Sequence, residues 1–327
     1  MVRVTVLEAI QKGAEFLGKK HVESPRLQVE LLLAHLLKMP RMKLYLNFER
    51  TLTATETDAL RELIKRRGQR EPLQHIVGST SFCGLEIAVN HHVLVPRPET
   101  EMLAEFGWQF LAERRAPARL EGISISEQAG TMPGAPTALD FCTGSGCIAI
   151  TLAAKCPNAK IVATDISTDA LVLAKENAAR NNVAERIEFL PGDGFAALRS
   201  EGRVPRVPNQ ISEAGDSWNS SLQNWEFDLI ISNPPYIPSA EIATLEPEVR
   251  DFDPRAALDG GADGLEFFRM IASQARDFLQ PDGKIMVEFG DGQAETIRKI
   301  LEAEKWIVEA VQEDYSQRAR ILIARKN

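Results

Sequence analysis

The chain has 327 residues, of which 44% are apolar and 26% are charged, a composition typical of a globular protein. This length predicts a main domain of about 200 residues with a smaller one beside it. The four cysteines form no Cys-x-x-Cys pair and the adjacent His91 and His92 cannot face one metal from a strand, so we expect reduced thiols, no metal and a cytoplasmic location. The absence of a run of about 18 apolar residues predicts that no segment spans a membrane.

The net charge of −8 is unevenly distributed. Residues 1–75 hold 14 Lys and Arg and 9 Asp and Glu, whereas the remaining residues hold 24 and 37. The acidic main body argues against stable binding to nucleic acid, which depends on neutralising phosphates. Two interpretations remain open for the basic residues near the end of the first segment: they steer an acidic partner, or they solvate a helix face. These residues are Lys65, Arg66, Arg67 and Arg70.

Residues 1–72 are predicted to form a small helical domain that recognises the substrate. Ser24 and Pro25 indicate a helix start, with Ser24 as the cap and Pro25 in the first turn. Another helix is expected over residues 55–67. Glycine and proline punctuate short β-prone pieces over residues 73–98, which predicts a β-hairpin linker.

Residues 99–327 alternate predicted helices and strands, the pattern of a parallel sheet covered on both faces. Strands are expected over residues 138–141, 160–165, 186–190, 227–232, 283–289, 306–311 and 319–324. Helices are expected over residues 99–112, 167–181 and 264–278. The last two strands are close in sequence and are predicted to pair as an antiparallel hairpin at one edge.

Two segments interrupt this alternation, residues 113–136 and 199–225, and both are rich in Gly, Pro, Ser, Asn and charged residues. Each precedes a strand and should therefore lie at the amino-terminal edge of the sheet. Ligands of open α/β sheets bind at the opposite edge. We therefore predict that both segments are mobile insertions away from the chemistry.

A glycine turn follows the first predicted strand of this sheet, within residues 139–149. Gly144 and Gly146 allow the backbone to turn tightly and to approach a ligand closely. Asp165 ends the next strand, where a carboxylate can accept hydrogen bonds from both ribose hydroxyls of a nucleoside. This pattern predicts a nucleoside cofactor but fits NAD as well as S-adenosylmethionine.

The tetrapeptide Asn233-Pro234-Pro235-Tyr236 follows another strand and is predicted at the same edge. The prolines stiffen the turn, and the residue before a proline is held in an extended conformation. The Asn233 side-chain oxygen and the Pro234 carbonyl can each accept one hydrogen from an NH₂ group, while Tyr236 packs against its plane. Hydride transfer needs no such group. The two motifs together predict methylation of an amide or amine nitrogen by S-adenosylmethionine.

These segments, together with the stiff charged turn at residues 95–101, resemble the release-factor glutamine methyltransferases, the HemK/PrmC family. The resemblance covers nearly the whole chain and is carried by residues 26–37, 71–78, 95–101, 139–149, 165, 233–236 and 253–261. It implies an α/β fold: a class I methyltransferase, Rossmann-like sheet of seven mostly parallel strands behind a small N-terminal helical domain. Residues 99–327 would then be the S-adenosylmethionine-dependent methyltransferase domain.

The resemblance also implies a substrate, which is the glutamine of the Gly-Gly-Gln motif in class-I peptide-chain release factors. The products would be N5-methylglutamine and S-adenosylhomocysteine. The implied cofactor-binding residues are Cys142, Thr143, Gly144, Ser145, Gly146, Asp165, Asp193, Gly194, Phe195 and Asn233. The implied substrate-binding residues are Arg97, Glu99, Asn233, Pro234, Pro235 and Tyr236, and the catalytic ones are Asn233, Pro234 and Tyr236.

The chain departs from the family at two positions. Cys142 stands where a glycine is usual, and Asp193 is followed by Gly194 and Phe195 where an aromatic residue often follows directly. The alternatives are glutamine methylation of a large-subunit ribosomal protein, amino-methylation of adenine in DNA or RNA, and a scaffold without activity. We expect a monomer that forms no stable complex with nucleic acid.

Overall fold

The computed structural model describes residues 4–114, 135–199 and 225–327. Both predicted insertions, residues 113–136 and 199–225, fall almost wholly outside these described residues, so their mobility and placement stay predictions. Within the described part of the chain, no helix combines the length and apolar character that crossing a membrane requires.

Helices make up most of the amino-terminal part of the chain and alternate with strands thereafter. They are α1 (Val6–Lys19), α2 (Pro25–Leu36), α3 (Arg41–Tyr45), α4 (Ala54–Gly68), α5 (Leu73–Val77), α6 (Pro98–Glu113), α7 (Cys147–Lys155), α8 (Thr168–Arg180), α9 (Ala196–Arg199), α10 (Pro247–Arg250), α11 (Glu266–Gln274) and α12 (Ala294–Ala303). Short 3₁₀ turns occupy Ala184–Arg186, Ile242–Thr244, Arg255–Ala257 and Ala275–Phe278.

The strands form a hairpin and one larger sheet. The hairpin pairs β1 (Ser79–Phe82) with β2 (Leu85–Ala88). The larger sheet consists of β3 (Thr137–Phe141), β4 (Lys160–Asp165), β5 (Ile187–Pro191), β6 (Phe227–Ser232), β7 (Leu279–Glu288), β8 (Trp306–Glu313) and β9 (Ala319–Lys326). Its order is β5-β4-β3-β6-β7-β9-β8; β9 runs antiparallel to both β7 and β8, and the strands from β5 to β7 pair in parallel. This confirms the predicted α/β fold with seven mostly parallel strands and an antiparallel pair at one edge.

The chain divides into two compact units. The first consists of Met1–Thr80, Ala88–Val95 and Glu241–Arg255, and the second consists of Ser81–Ile87, Pro96–Ala240 and Ala256–Asn327. The chain thus leaves the sheet-bearing unit shortly after the Asn-Pro-Pro-Tyr segment and returns before α11. The domain boundaries at residues 72 and 98 stay predictions.

Helix starts in the first unit follow two different patterns. Helices α1 and α4 each begin with a capping box, formed by Thr5 with Glu8 and by Thr53 with Glu56. Helix α2 begins at Pro25 as predicted, but the preceding Ser24 has a φ of +46° and its side chain caps no backbone N–H. A capping side chain requires an extended backbone, so the predicted Ser24 cap is wrong.

Helices pack on both faces of the larger sheet. Leu229 and Ile231 of β6 face α6, where a Cβ atom added to Gly107 would lie 2.9 Å from Ile231 Cδ1 and 3.4 Å from Leu229 Cδ2. Ile230 lies between them and belongs to the core cluster that includes Phe268 of α11. Because successive side chains of a strand point to opposite faces, α6 and α11 lie on opposite sides of β6.

The arginines at and just beyond the end of α4 form ion pairs within the first unit. Arg67 is 5% exposed and donates to Glu248 of α10 at 2.8 Å. Arg70 donates to both oxygens of Glu248 at 2.6 Å, and Arg66 pairs with Glu71 at 2.5 Å. Neither sequence interpretation anticipated this, because a carboxylate about 180 residues away cannot be paired with an arginine from local pattern alone.

Glu248 is the centre of this ion-pair network. Burial raises its pKa, but the hydrogen bonds from Arg70 and Arg67 outweigh burial, and the pKa lies below the ordinary value of 4.5. Since the folded pKa is below the unfolded one, the network stabilises the unit fully above pH 4.5. This stabilisation is lost as the pH falls through the lowered folded value.

Replacing Glu248 with Gln leaves the buried Arg67 without its anion and leaves Arg70 with only the exposed Glu246 as an ion-pair partner. We expect the free energy of unfolding at pH 7 to fall by about 3 kcal/mol, measured by denaturant titration. The matched control is Glu15→Gln, which breaks an exposed pair with Lys19 on α1 and should leave the unfolding midpoint unchanged. A Glu248→Gln variant as stable as this control at pH 7 would contradict the role given to the network.

Candidate active site at the carboxyl edge of the sheet

Strand register brings four residues into one row. Phe141 of β3 is level with Thr164 of β4 and with Ser232 of β6, and Ser232 is level with Val287 of β7. The residues that follow these positions are Asp165, Cys142, Asn233 and Glu288 in sheet order. Neighbouring strands lie about 4.8 Å apart, so Asp165 and Asn233 stand on the order of 10 Å apart on either side of the glycine turn.

The glycine turn is tied to the end of β4. Gly144 N donates to Asp165 Oδ2 at 2.8 Å, and Ser167 N donates to Asp165 Oδ1 at 2.9 Å. Thr143 N donates to the Thr164 carbonyl at 2.9 Å. Burial raises the pKa of Asp165 despite these hydrogen bonds. The predicted cofactor carboxylate therefore also closes the turn.

Three residues of this turn have left-handed backbones. Gly144 has a φ of +54°, and an added Cβ atom would meet nothing within 4 Å. Gly146 has a φ of +81°, and an added Cβ atom would lie 3.0 Å from Ile150 Cδ1 and 3.1 Å from Ala174 Cβ. Cys142 has a φ of +63°, which is strained by about 1–2 kcal/mol for a residue with a Cβ atom. A glycine at this position would adopt the same backbone without the strain.

A buried carboxylate that sequence reasoning missed supports the same turn. Asp140 Oδ2 accepts hydrogen bonds from the Thr143 hydroxyl at 2.5 Å and from Ala149 N at 3.0 Å. Asp140 is fully buried, and burial raises its pKa to about 7. Asn177 of α8 adds a hydrogen bond from Nδ2 to the Ser145 carbonyl at 3.0 Å. The turn is therefore held from the sheet and from helices α7 and α8.

The segment after β5 brings fewer residues to the glycine turn than the sequence suggested. The charge of Asp193 acts on the Cys142 thiol, whose pKa is raised mainly by burial, so Asp193 lies near the turn. Gly194 has a φ of +57° and lies against Met270, whose sulfur would be 2.5 Å from an added Cβ atom. Phe195 is 1% exposed.

The position of Phe195 corrects one prediction. Its ring stacks on Phe141 at a centroid distance of 4.9 Å and on Phe278 at 5.2 Å. Both ring faces are thus covered by the core, and neither remains for a cofactor ring. Phe195 lies in the turn between β5 and α9, where sequence order alone does not show which way a side chain points.

The Asn-Pro-Pro-Tyr segment follows β6 as a rigid turn. Asn233 Nδ2 donates to Thr100 Oγ1 at 3.0 Å, and Pro234 and Pro235 are buried. Tyr236 is half-buried and packs against the main core. Burial raises the pKa of Tyr236 to about 12, so its hydroxyl stays protonated at neutral pH.

Two glycines of a neighbouring loop pack closely against the backbone of this turn. An added Cβ atom at Gly260 would be 2.8 Å from Tyr236 Cα, and one at Gly264 would be 2.4 Å from the Tyr236 carbonyl oxygen. Gln293 Nε2 donates to the same carbonyl at 2.9 Å. The Asp-Gly-Gly-Ala-Asp-Gly run therefore needs glycine for close packing against the turn, a role that the sequence did not reveal.

The start of α6 supplies charged residues to the same end of the sheet. The charges of Arg97 and Glu99 both act on Tyr236, which places these predicted substrate residues near it. Thr100 is 2% exposed in the first turn of α6. Glu288 is also 2% exposed and was not foreseen, although the end of β7 is the next strand end in the row.

Among the described residues, no group of three or more His, Cys, Asp or Glu side chains has the arrangement of a metal site. The cysteines within the same residues are free thiols. The site that emerges is therefore a glycine turn with a carboxylate on one side and a rigid asparagine turn on the other.

Comparisons with known proteins show the family of the chain. Two family models match the chain: the PrmC N-terminal domain over residues 8–78 and the methyltransferase small domain over residues 129–204. The release factor glutamine methyltransferase of Geobacter sulfurreducens is 40% identical over 90% of this chain and 87% of its own length. The enzyme of the same name from Chlorobaculum tepidum is 37% identical over 96% and 94%. The chain therefore belongs to the release factor glutamine methyltransferase family.

Proposed function

We propose that this chain transfers a methyl group from S-adenosylmethionine to the side-chain amide nitrogen of the Gly-Gly-Gln glutamine in class-I peptide-chain release factors. The products are N5-methylglutamine and S-adenosylhomocysteine. The observation that carries the proposal is the row at the carboxyl edge, where Asp165 and Asn233 flank the glycine turn. Such an edge is where open α/β sheets bind their ligands.

The residues around the glycine turn fit the cofactor. The space at Gly144, where an added Cβ atom would meet nothing within 4 Å, leaves room for a ligand to approach the backbone. The Asp165 carboxylate accepts backbone N–H groups, among them those of Gly144 and Ser167, and its two oxygens have further lone pairs for a ribose hydroxyl. When bound, the cofactor supplies an electrophilic methyl group on a sulfonium. Asp165 and residues 142–146 would hold it, with Asp193 and Gly194 beside them.

Asn233 and Pro234 orient the substrate amide. An amide nitrogen is a weak nucleophile because its lone pair is delocalised into the carbonyl. The Asn233 Oδ1 atom and the Pro234 carbonyl each accept one hydrogen of the NH₂ group, which fixes the direction of the nitrogen. Orientation of this kind can contribute up to roughly 7–11 kcal/mol of barrier reduction.

Tyr236 acts by packing, since a hydroxyl with a pKa of about 12 is no base at neutral pH. Its ring packs against the planar amide, and Pro235 stiffens the turn between them. Arg97 and Glu99 line the same end of the sheet and contact the substrate backbone in this proposal. Arg97, Glu99, Pro234, Pro235 and Tyr236 all belong to the substrate side of the site.

We further propose that the enzyme works as a monomer in the cytoplasm and forms no stable complex with nucleic acid. The arginines at and just beyond the end of α4 support the last point, because Arg66, Arg67 and Arg70 are already bound to carboxylates of their own unit. Phosphate binding would have to displace these ion pairs.

Replacing Asn233 with Ala removes the acceptor that orients the amide. We expect the turnover number to fall by about 10²–10³-fold, as for other polar groups that act in the transition state. The affinity for S-adenosylmethionine, measured by calorimetry, should change little. Asn181→Ala, at the end of α8, is the matched control and should keep normal turnover. Near-normal turnover in Asn233→Ala would rule out the orienting role.

Replacing Asp165 with Ala removes the proposed ribose acceptor and releases the N–H of Gly144. We expect the affinity for S-adenosylmethionine to fall by about 10–100-fold, since hydrogen bonds to a charged group are lost. Asp277→Ala is the control, because Asp277 is an exposed carboxylate paired with Arg199. Calorimetry that finds equal affinities in the two variants would contradict the role of Asp165.

The substrate is tested by incubating the protein with methyl-labelled cofactor and separate samples of release factor, large-subunit ribosomal proteins and oligonucleotides. We expect label only on the release factor. A release factor whose Gly-Gly-Gln glutamine is replaced by asparagine should stay unlabelled. Label confined to a ribosomal protein would favour that alternative substrate, and label confined to an oligonucleotide would favour amino-methylation of a base.

A further inference from the structure

Two buried polar residues lie behind Asn233, on the side of α6 and β7. Thr100 stands in the first turn of α6, and Glu288 stands at the end of β7. Both are 2% exposed, so water cannot satisfy their polar groups. Neither belongs to the Asn-Pro-Pro-Tyr segment, yet both connect to it.

The connection is a chain of two hydrogen bonds. Asn233 Nδ2 donates to Thr100 Oγ1 at 3.0 Å. Thr100 in turn is hydrogen-bonded to the Glu288 carboxyl group. A carboxylate only accepts hydrogen bonds, so the single hydroxyl hydrogen of Thr100 is directed to Glu288.

This arrangement decides which end of the Asn233 amide faces Thr100. Once its hydrogen is used, Thr100 Oγ1 can only accept, and it therefore requires the NH₂ end of Asn233. The carbonyl end, Oδ1, then points away from Thr100. The two ends of an asparagine amide have nearly the same size, so packing alone does not distinguish them.

We propose that Thr100 and Glu288 are positioning residues that hold the Asn233 amide in the one orientation in which Oδ1 can accept a hydrogen from the substrate amide. This inference rests on the proposed function, because it assigns a use to that oxygen. In the opposite orientation, the NH₂ group of Asn233 would face the NH₂ group of the substrate, and two donors would oppose each other.

The pKa of Glu288 makes this arrangement sensitive to pH. Burial raises its pKa to about 7, and the hydrogen bond from Thr100 acts in the lowering direction. The other charged or titratable groups that act with it are Arg97 and Glu99 at the start of α6, Arg320 of β9, and Tyr236. Glu288 Oε2 is buried and has no hydrogen-bond partner among the described residues.

Protonation of Glu288 would remove the constraint. A protonated carboxyl group can donate its hydrogen to Thr100 Oγ1. The Thr100 hydroxyl hydrogen is then free to be donated to Asn233, which allows the Asn233 amide to turn its oxygen towards Thr100. The turnover number should therefore fall as the pH decreases through about 7. Above that value, Glu288 is ionised and the productive orientation is held.

The first test compares Thr100→Val with Thr100→Ser, using the labelled-cofactor assay with saturating release factor. Valine keeps the shape of threonine without the hydroxyl, and we expect a loss of turnover number of about 10–100-fold, by analogy with the hydrogen-bond partners that orient metal ligands. Serine restores the hydroxyl and should restore most of the turnover. Cofactor affinity by calorimetry and the thermal midpoint, measured beside it, show that the valine variant is folded.

The second test compares pH profiles of the wild type and Glu288→Gln between pH 5.5 and 8.5. Glutamine does not titrate, so the acid limb of the wild-type profile should disappear. This measurement stands even if Thr100→Val does not fold. A valine variant as fast as the serine variant, a serine variant as slow as the valine variant, or an acid limb unchanged in Glu288→Gln would each overturn the proposal.

The outcomes are separable from those of the proposed function. If the wild-type protein labels no release factor, the proposed function fails before any variant is compared. If the wild type labels it and Asn233→Ala does not, while Thr100→Val matches Thr100→Ser, only the positioning role fails.

Discussion

The register between β3, β6 and β4 is the constraint on which the site depends. Parallel strands bring their carboxyl ends to one edge, but only a fixed register places Asp165 and Asn233 level with each other. A slip of one residue in β6 would move Asn233 by about 3.3 Å and turn its side chain to the other face. Misplacement by about 1 Å can reduce a rate 10²-fold, so the buried pairing of Ser232 with Phe141 is as important to the chemistry as the motif that follows it.

The rigidity of the Asn233 turn comes from three directions. Pro234 and Pro235 restrict its backbone from within. Gly260 and Gly264 allow a second loop to approach the Tyr236 backbone more closely than a residue with a Cβ atom could. Gln293 holds the carbonyl at the far end of the turn. Preorganisation of this kind matters because a group that must be ordered during the reaction spends part of its interaction energy on the ordering.

Sequence patterns predicted what is local. The bounds of β4 and β6 match the predicted residues, and the glycine turn and the Asn-Pro-Pro-Tyr segment occupy the strand ends where they were expected. The failures concern contacts between distant residues. Arg67 meets Glu248 across 181 residues, and Phe195 turns into the core because Phe141 and Phe278 flank it. Glu288 was overlooked because a single carboxylate in an apolar strand carries no motif.

Two buried carboxylates beside the site, Asp140 within β3 and Glu288 at the end of β7, mark positions where the fold gives up stability. Asp140 and Glu288 each lie in an otherwise apolar strand environment, and burial raises the pKa of both to about 7. Leucine at either position would suit the core better, because an incompletely bonded buried carboxyl group is destabilising. What leucine could not do is accept hydrogen bonds, from Thr143 and Ala149 N in one case and from Thr100 in the other. Both carboxylates lie beside the turns of the proposed active site. Functional sites are where a protein is expected to keep polar groups that lower its stability.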